Sequence, residues 1–379
     1  MKKKKVLVLT DHMPWGHRSI AKAIYGYLKE KATEYDVEYV EIKSKNGLFN
    51  DGYTFLYRFL PSMQRVASRL SLTKVAGEIW NDVCQRNEKN LYDVVKRKKP
   101  DLIICAYFVL SKGLVDIRRQ KKLDFKLWTV VADPWTVVPQ SYFKEADMHL
   151  VYDDVAFGEG LRRRIDKDKI LVTGWWTRLE MYKKHDKRKI KKSLGFDDNR
   201  PVIFVGGGSL GSNILGKLLP SLMFVNKKVG FIFNTGTDKL AYRLVNEYAG
   251  LLKTIKRNNL IKIKCFGWID NMAEMLSACD IVFGKAGPNF LFEVVATQKP
   301  FVAITHLGGQ EDGNVELIKE KNLGWVREKP TQLSGFLESY LKNPKKYEQM
   351  YKKDIAKEAE TNRKSLEIIL ERIKKEIQI

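Results

Sequence analysis

Lys285-Ala286-Gly287-Pro288 follows a short apolar run, Asp280–Gly284, and precedes Phe290–Ala296, whose apolar residues fall at helical spacing. Such a junction can hold an anion. Gly287 lets the backbone approach a ligand closely, Pro288 suits the first helical position, and the amides and positive end of the helix face outward, ready for phosphate. Glu293 falls about a turn and a half into that helix. A carboxylate there can accept both hydroxyls of a ribose whose diphosphate sits on the helix end. A second loop, Gly308-Gly309-Gln310-Glu311 with Asn314 beyond it, gathers donors and acceptors suited to sugar hydroxyls. Each loop also has a plainer reading: Glu293 as a solvated helix glutamate, the second loop as a polar turn. Pro300–Ile304 completes a strand–helix–strand unit, which implies parallel pairing and puts both loops at the carboxyl ends of the strands, where open α/β sheets bind ligands.

His17 is the other residue placed for chemistry. Val6–Thr10 reads as a buried strand, Asp11–Gly16 as a loop, and Ile20, Ala23, Ile24, Tyr27 and Leu28 have helical spacing. A histidine where strand turns into helix can take a proton from a hydroxyl near neutral pH; the alternative is a capping or packing histidine. His12 is the fallback base. After the strand Pro201–Val205, Gly206-Gly207-Gly208-Ser209-Leu210-Gly211 is formally a dinucleotide fingerprint. Such a site expects an acidic residue about 20 positions on. The next strand, Gly230–Phe233, instead ends in Asn234-Thr235-Gly236, which disfavours a dehydrogenase. Asp166-Lys167-Asp168 lies in a dense charge run and reads as a solvated turn, not a metal site.

KAGPNFLFE (Lys285–Glu293) followed by GGQEDGN (Gly308–Asn314) resembles the nucleotide-sugar signature of the monogalactosyldiacylglycerol synthase and processive diacylglycerol glucosyltransferase family. The related lipid-linked N-acetylglucosaminyltransferase of peptidoglycan synthesis has a looser version, and the Gly309–Asn314 element favours the glycolipid branch. Weaker matches extend over most of the chain. The resemblance implies the GT-B fold: two doubly wound α/β domains facing across a cleft. Residues 1–175 would form an acceptor and membrane-side domain, 176–350 a nucleotide-sugar domain, and 351–379 a helix packing across the interface. It also implies roles. His17 would be the base, although Met13-Pro14-Trp15 replaces most of the family's glycines before Gly16-His17. Gly207, Gly208 and Ser209 would meet the donor diphosphate together with Lys285, Ala286, Gly287 and Pro288. Glu293 would fix the ribose, Gln310, Glu311 and Asn314 would face the donor sugar, and Gly236 matches a family glycine. Phe266, Gly267 and Trp268 would pass beside the nucleobase, with backbone groups pairing to the edge of uracil. Asp133, after the strand Lys126–Val131, would line the cleft or cap the next turn. Arg178 stands where the family has a Gly-x-Pro-x-Arg hinge, tryptophan replacing the proline, and would meet phosphate or a surface carboxylate.

The remaining elements must position these groups. Tyr35–Ile42, Asp101–Tyr107, Met148–Tyr152, Lys169–Gly174 and Ile261–Phe266 read as strands, Tyr182–Asn199 as the interdomain connection, and Lys352–Ile379 as one amphipathic helix. With 379 residues and a 44% hydrophobic fraction, the chain has material for two ordinary globular cores. Its four cysteines lack CxxC spacing and a disulfide framework, which suits a reducing, cytoplasmic setting. No apolar run reaches the roughly 18 residues of a membrane span, and no signal-peptide core follows the first lysines.

A formal net charge of +23 argues for an anionic partner surface. No zinc-finger, RNP or basic-region pattern supports nucleic acid. Phe55–Leu70 instead puts Phe55, Phe59, Leu60, Met63, Val66, Ala67 and Leu70 in one helical arc flanked by Arg58, Arg65 and Arg69, interrupted by Pro61. That suits the interface of an acidic bilayer, or packing into its own domain. The expected activity is inverting transfer of a hexose from a UDP-sugar to a hydroxyl of a membrane lipid, at the inner face of the cell membrane and without a metal or other cofactor. A polyprenyl-diphosphate-linked cell-wall acceptor, a GT-B nucleotide-sugar epimerase and a nucleic-acid-binding protein on the same fold are the alternatives.

Overall fold

Runs such as Val202–Gly206 and Phe301–Thr305 are apolar but for the last threonine and are buried along their whole length. Strands buried on both faces belong to parallel sheets covered by helices on either side. The computed structural model describes residues 3–12, 16–43, 85–206 and 214–378. The expected membrane residues Phe55, Arg58, Phe59, Arg65 and Arg69, and Gly207, Gly208 and Ser209 of the glycine-rich loop, lie outside the described residues.

Contacts divide the chain into two units. The first takes Met1–Leu179, Gly308–Gln310 and Thr361–Ile379; the second takes Glu180–Leu307 and Glu311–Glu360. In the first unit, strands β1 (Lys5–Asp11), β2 (Asp36–Ile42), β3 (Leu102–Cys105), β4 (Lys126–Val130), β5 (Met148–Val151) and β6 (Ile170–Val172) form a parallel sheet in the order β2-β1-β3-β4-β5-β6. Leu7, Leu9, Ile103 and Leu127 pack there against Leu110 and Leu114 of the helix Phe108–Gln120.

The second unit has its own parallel sheet, from β7 (Val202–Gly206), β8 (Val229–Asn234), β9 (Ile261–Phe266), β10 (Ile281–Lys285), β11 (Phe301–Thr305) and β12 (Gly324–Val326). Its order is β12-β11-β10-β7-β8-β9. Ile203, Phe231, Phe283 and Val302 meet Leu218, Val245, Leu333 and Phe336 from the covering helices. These observations make the chain a two-domain α/β protein of the doubly wound kind.

Two expectations about segments change. Tyr182–Asn199, read as a connection, contains the helix Lys187–Ser193, which packs inside the second unit against the helix Met272–Ala278. Lys187 Nζ pairs with Asp280 Oδ1, while Asp280 Oδ2 accepts from Val202 N at 2.7 Å. Lys352–Ile379 is two helices, Lys352–Arg363 and Ser365–Glu376, broken at Lys364. The second of them lies against the helix Gly16–Lys31.

Candidate functional site

Because every strand of the second sheet runs the same way, their carboxyl ends share one edge, and the register aligns what they carry. Gly206 of β7 lies opposite Asn234 of β8 on one side and Gly284 of β10 on the other. Asn234 lies opposite Phe266 of β9, and Lys285 opposite Thr305 of β11. Strand order reverses between β7 and β10, the switch point where open α/β sheets take ligands. Lys285–Pro288, Gly236 and Phe266–Trp268 are therefore brought to one edge.

The helix Pro288–Ala296 begins at that switch point, with Gly287 as its N-cap and Pro288 at the first position. The amides of a first helical turn have no partner within the helix, and the helix dipole makes this end positive. Phe290 seats it. A Cβ on Gly206 would lie 2.7 Å from Phe290 Cζ, and one on Gly284 would lie 2.7 Å from Phe290 Cε1. The ring also stands edge-on to Phe301, with centroids 5.9 Å apart. β7 ends in glycine and β10 has glycine at its last position but one because this ring fills the space a side chain would need. Phe290 escapes sequence reading, since its signal is two glycines, Gly206 and Gly284, paired across β7 and β10, a non-local fact. Glu293 lies further along the same helix and is half-buried.

Polar contacts bind the second loop to the first. Lys285 Nζ pairs with Glu311 Oε1, and Glu311 Oε2 accepts from Leu307 N at 2.6 Å. Asn314 Nδ2 donates to Ala286 O at 2.8 Å. Glu311 and Asn314 are buried, and these bonds make them struts that fix the shape of the Lys285–Pro288 turn. Asn314 Oδ1 is buried with no hydrogen-bond partner among the described residues. Gly309 has φ of +89°, which a side chain would strain, so the turn itself requires glycine there. Gln310 is half-buried.

On the other side of the switch point, Thr235 N and Oγ1 donate to Phe266 O at 2.9 and 3.1 Å, tying the ends of β8 and β9 together. Gly236 turns with φ of +58° and donates its N–H to Asn234 Oδ1 at 2.9 Å. A Cβ on Gly267 would meet Gly236 O at 3.4 Å, so the two glycine backbones run side by side. Trp268 is 66% exposed, and its Nε1 donates to Asp270 at 2.8 Å.

In the first sheet the order turns between β1 and β3, and His17 sits at that point. Its ring lies 4.9 Å from that of Tyr107, just beyond β3. Burial pushes its pKa down to about 4, the Ala106 backbone opposing in part, so the imidazole is neutral at ordinary pH. Its Nδ1 is buried without a hydrogen-bond partner among the described residues. His12, the fallback, is engaged otherwise: Nδ1 contacts Glu41 Oε2 at 2.9 Å, while Glu41 Oε1 accepts from Arg18 Nε at 2.6 Å and Tyr39 Oη at 2.7 Å. Burial works to raise the Glu41 carboxyl, but the bonds from Tyr39, Arg18 and His12 outweigh it and hold it below the usual range.

Asp133 follows β4 at the same edge and is buried. Arg178 is half-buried at the end of the stretch from Gly174. The tryptophans beside it are core residues. Trp175 and Trp176 are fully buried, Trp175 N donates to Asn362 Oδ1 at 2.8 Å, and Gly174 turns with φ of +82° against that asparagine. Asp166 precedes the short 3-10 turn Lys167–Lys169, and Asp168 is its middle residue. No helix among the described residues is long and apolar enough to cross a membrane.

Comparison with known proteins follows the division of the chain. Residues 17–175 match the model of monogalactosyldiacylglycerol (MGDG) synthase, and residues 202–366 match the glycosyltransferase family 28 C-terminal domain. A probable chloroplastic monogalactosyldiacylglycerol synthase of Glycine max is 24% identical over 372 residues, covering 92% of this chain and 67% of the relative. The Arabidopsis thaliana synthase 1 is 22% identical, covering 87% and 63%. The chain thus spans about two thirds of the length of these plant relatives. A Clostridium botulinum UDP-N-acetylglucosamine–N-acetylmuramyl-(pentapeptide) pyrophosphoryl-undecaprenol N-acetylglucosamine transferase is 26% identical over 212 residues, covering 56% of this chain and 54% of its own. Among solved structures, MurG of Acinetobacter baumannii superposes with a TM-score of 0.60 at 13% identity, over 98% of this chain and 99% of that one. The UDP-GlcNAc 2-epimerase of Neisseria meningitidis gives 0.62 at 14%, over 98% and 100%. The structures establish the fold as GT-B. The two models lie end to end along the chain: its first half is similar to monogalactosyldiacylglycerol synthase and its second half to the C-terminal domain of family 28 glycosyltransferases.

Proposed function

We propose that this protein transfers a hexose from a UDP-sugar to a hydroxyl of a membrane lipid of the diacylglycerol type, with inversion at the anomeric carbon. The observation that carries the reading is the start of the helix at Gly287-Pro288, seated by Phe290 at the switch point of the second sheet with Lys285 beside it. Helix amides, the dipole and a lysine together suit a diphosphate, and a neighbour on this fold was solved with UDP-GlcNAc bound. The lipid acceptor is supported by the first half's match to a glycolipid synthase model and by the names of its plant relatives.

In this reading His17 takes the proton of the acceptor hydroxyl, the hydroxyl oxygen bonds to the anomeric carbon, and the bond from that carbon to the diphosphate breaks as UDP leaves. Developing charge on the leaving diphosphate is met by the helix end and by Lys285, so neutralisation needs no metal. Glu293 holds the ribose, Gly236 and Phe266–Trp268 pass along the base, and Gln310 reaches the sugar. Arg58, Arg65 and Arg69, with the excess positive charge, draw the protein to an acidic bilayer at the cytoplasmic face.

Incubation of the protein and lipid vesicles with radiolabelled UDP-glucose and UDP-galactose tests this. Label should partition into the organic phase and disappear from it in His17→Ala, whose affinity for UDP stays near that of the wild type. Full turnover by His17→Ala removes the histidine from the mechanism. A new sugar nucleotide formed from donor alone would make the protein an epimerase.

A further inference from the structure

His306 follows β11 directly, and both of its ring nitrogens are engaged. Nδ1 contacts Glu328 Oε1 at 2.6 Å and Nε2 contacts Asp312 Oδ1 at 2.9 Å. An ionised carboxylate only accepts, so both nitrogens must carry protons for both contacts to be hydrogen bonds, which makes the ring a cation. It is 13% exposed, and its partners 29% and 44%. His306 and Asp312 bracket Leu307–Glu311, so their bond closes the loop at its two ends. Inside that bracket Leu307 N donates to Glu311 Oε2, Glu311 N donates to Leu307 O at 2.8 Å, and Glu311 pairs with Lys285.

We propose that His306 is a positioning residue for the sugar end of the donor: its charged ring, clamped between Asp312 and Glu328, holds the Leu307–Glu311 loop in the form that the hexose requires. The proposal rests on the UDP-sugar reading above. The other charged groups near it among the described residues do not replace it. Lys217, from the helix Ile214–Leu222, feels Glu328 but spends its Nζ on Ile304 O at 2.9 Å. Arg327 turns to its own Val326 carbonyl and the face of Phe336.

Hydrogen bonding to Glu328 raises the His306 pKa; burial opposes this, and Asp312 adds to it. The folded value exceeds the ordinary 6.5, so the clamp is complete below that pH and is lost as pH rises through the folded value. Loss of one proton leaves one carboxylate facing a bare nitrogen, and the loop is released at that end.

The test is calorimetric titration of the wild type, Glu328→Gln and His306→Gln with UDP, UDP-glucose and UDP-galactose, from about pH 7 upward, above the phosphate pKa of about 6. In the wild type the preference for a UDP-hexose over UDP should fall about tenfold across the alkaline limb, the loss of a charge-assisted bond, while affinity for UDP stays level. Glu328→Gln should move that limb to lower pH, and His306→Gln should give a low, flat preference. A preference independent of pH in the wild type, a limb unmoved in Glu328→Gln, or one surviving in His306→Gln overturns the assignment. Failure of UDP to bind at any pH removes the donor reading itself, and this proposal with it.

Discussion

Burial of His17 bears on both its proposed use as a base and its cost to the fold. With a pKa of about 4 the ring stays neutral across the working range, so a hydroxyl near it always meets an acceptor. The acid limb of kcat/KM should therefore lie well below 6.5; a limb at or above that value would hand the proton to His12 or another group. Because the folded value is depressed, the neutral ring's contribution to stability is full above 6.5 and is lost as pH falls through about 4. Lys285 and Glu311 form the second residue-scale case. Both are largely buried, so removing one strands the other. Lys285→Met should cost about 3–5 kcal/mol in urea unfolding, with part of it restored by Lys285→Met/Glu311→Gln. Equal stability of the single and double variants would show that the pair contributes nothing.

At the scale of elements, what a sequence discloses depends on how local its cause is. The strands around the carboxyl edge of the second sheet were legible because each is an apolar run closed by glycine or a turn: the expected Ile261–Phe266 is β9 itself, and Pro300–Ile304 is β11 within a residue at each end. Gly324–Val326 is too short to carry a period, and only its pairing with β11 makes it a strand. Lys187–Ser193 reads KRKIKKS, with a single apolar residue, and it folds as a helix because Ile190 and Lys191 bury against the second unit. The break at Lys364 has no proline or glycine to announce it. In the site, the Lys285–Pro288 turn was legible from types and spacing, whereas the strut role of Glu311 and the seat made by Phe290 depend on cross-strand neighbours. That seat gives a test. Gly284→Ala would put a methyl 2.7 Å from Phe290 Cε1, and overpacking of this kind costs about 1–3 kcal/mol. The helix start should shift and UDP affinity fall, and Phe290→Leu in the same chain should recover it. Unchanged UDP affinity in Gly284→Ala would separate the seat from ligand binding.

At the scale of the molecule, the chain leaves its first unit after Leu179, returns for Gly308–Gln310 and comes back to stay at Thr361, so that unit takes in the last described helix of the chain. The helix Ser365–Glu376 buries Leu366, Ile369, Leu370 and Ile373 there. Tyr35 Oη donates to Ile377 O at 3.0 Å, Lys126 pairs with Glu376 at 2.6 Å, and Asn362 holds Trp175 N. Burying an apolar side chain of this size is worth about 1.5–3 kcal/mol, so four of them supply about 6–12 kcal/mol, comparable to the whole stability of a domain. All four belong to the first unit. Removal of residues 365–379 should therefore unfold the first sheet and spare the second. Hydrogen exchange on the shortened chain would show β1 and β3 losing protection while β7 and β10 keep theirs, with UDP still bound. Protection retained in β1 and β3 would mean that the helix is an accessory to the first unit; loss in both sheets would mean that the two units fold as one.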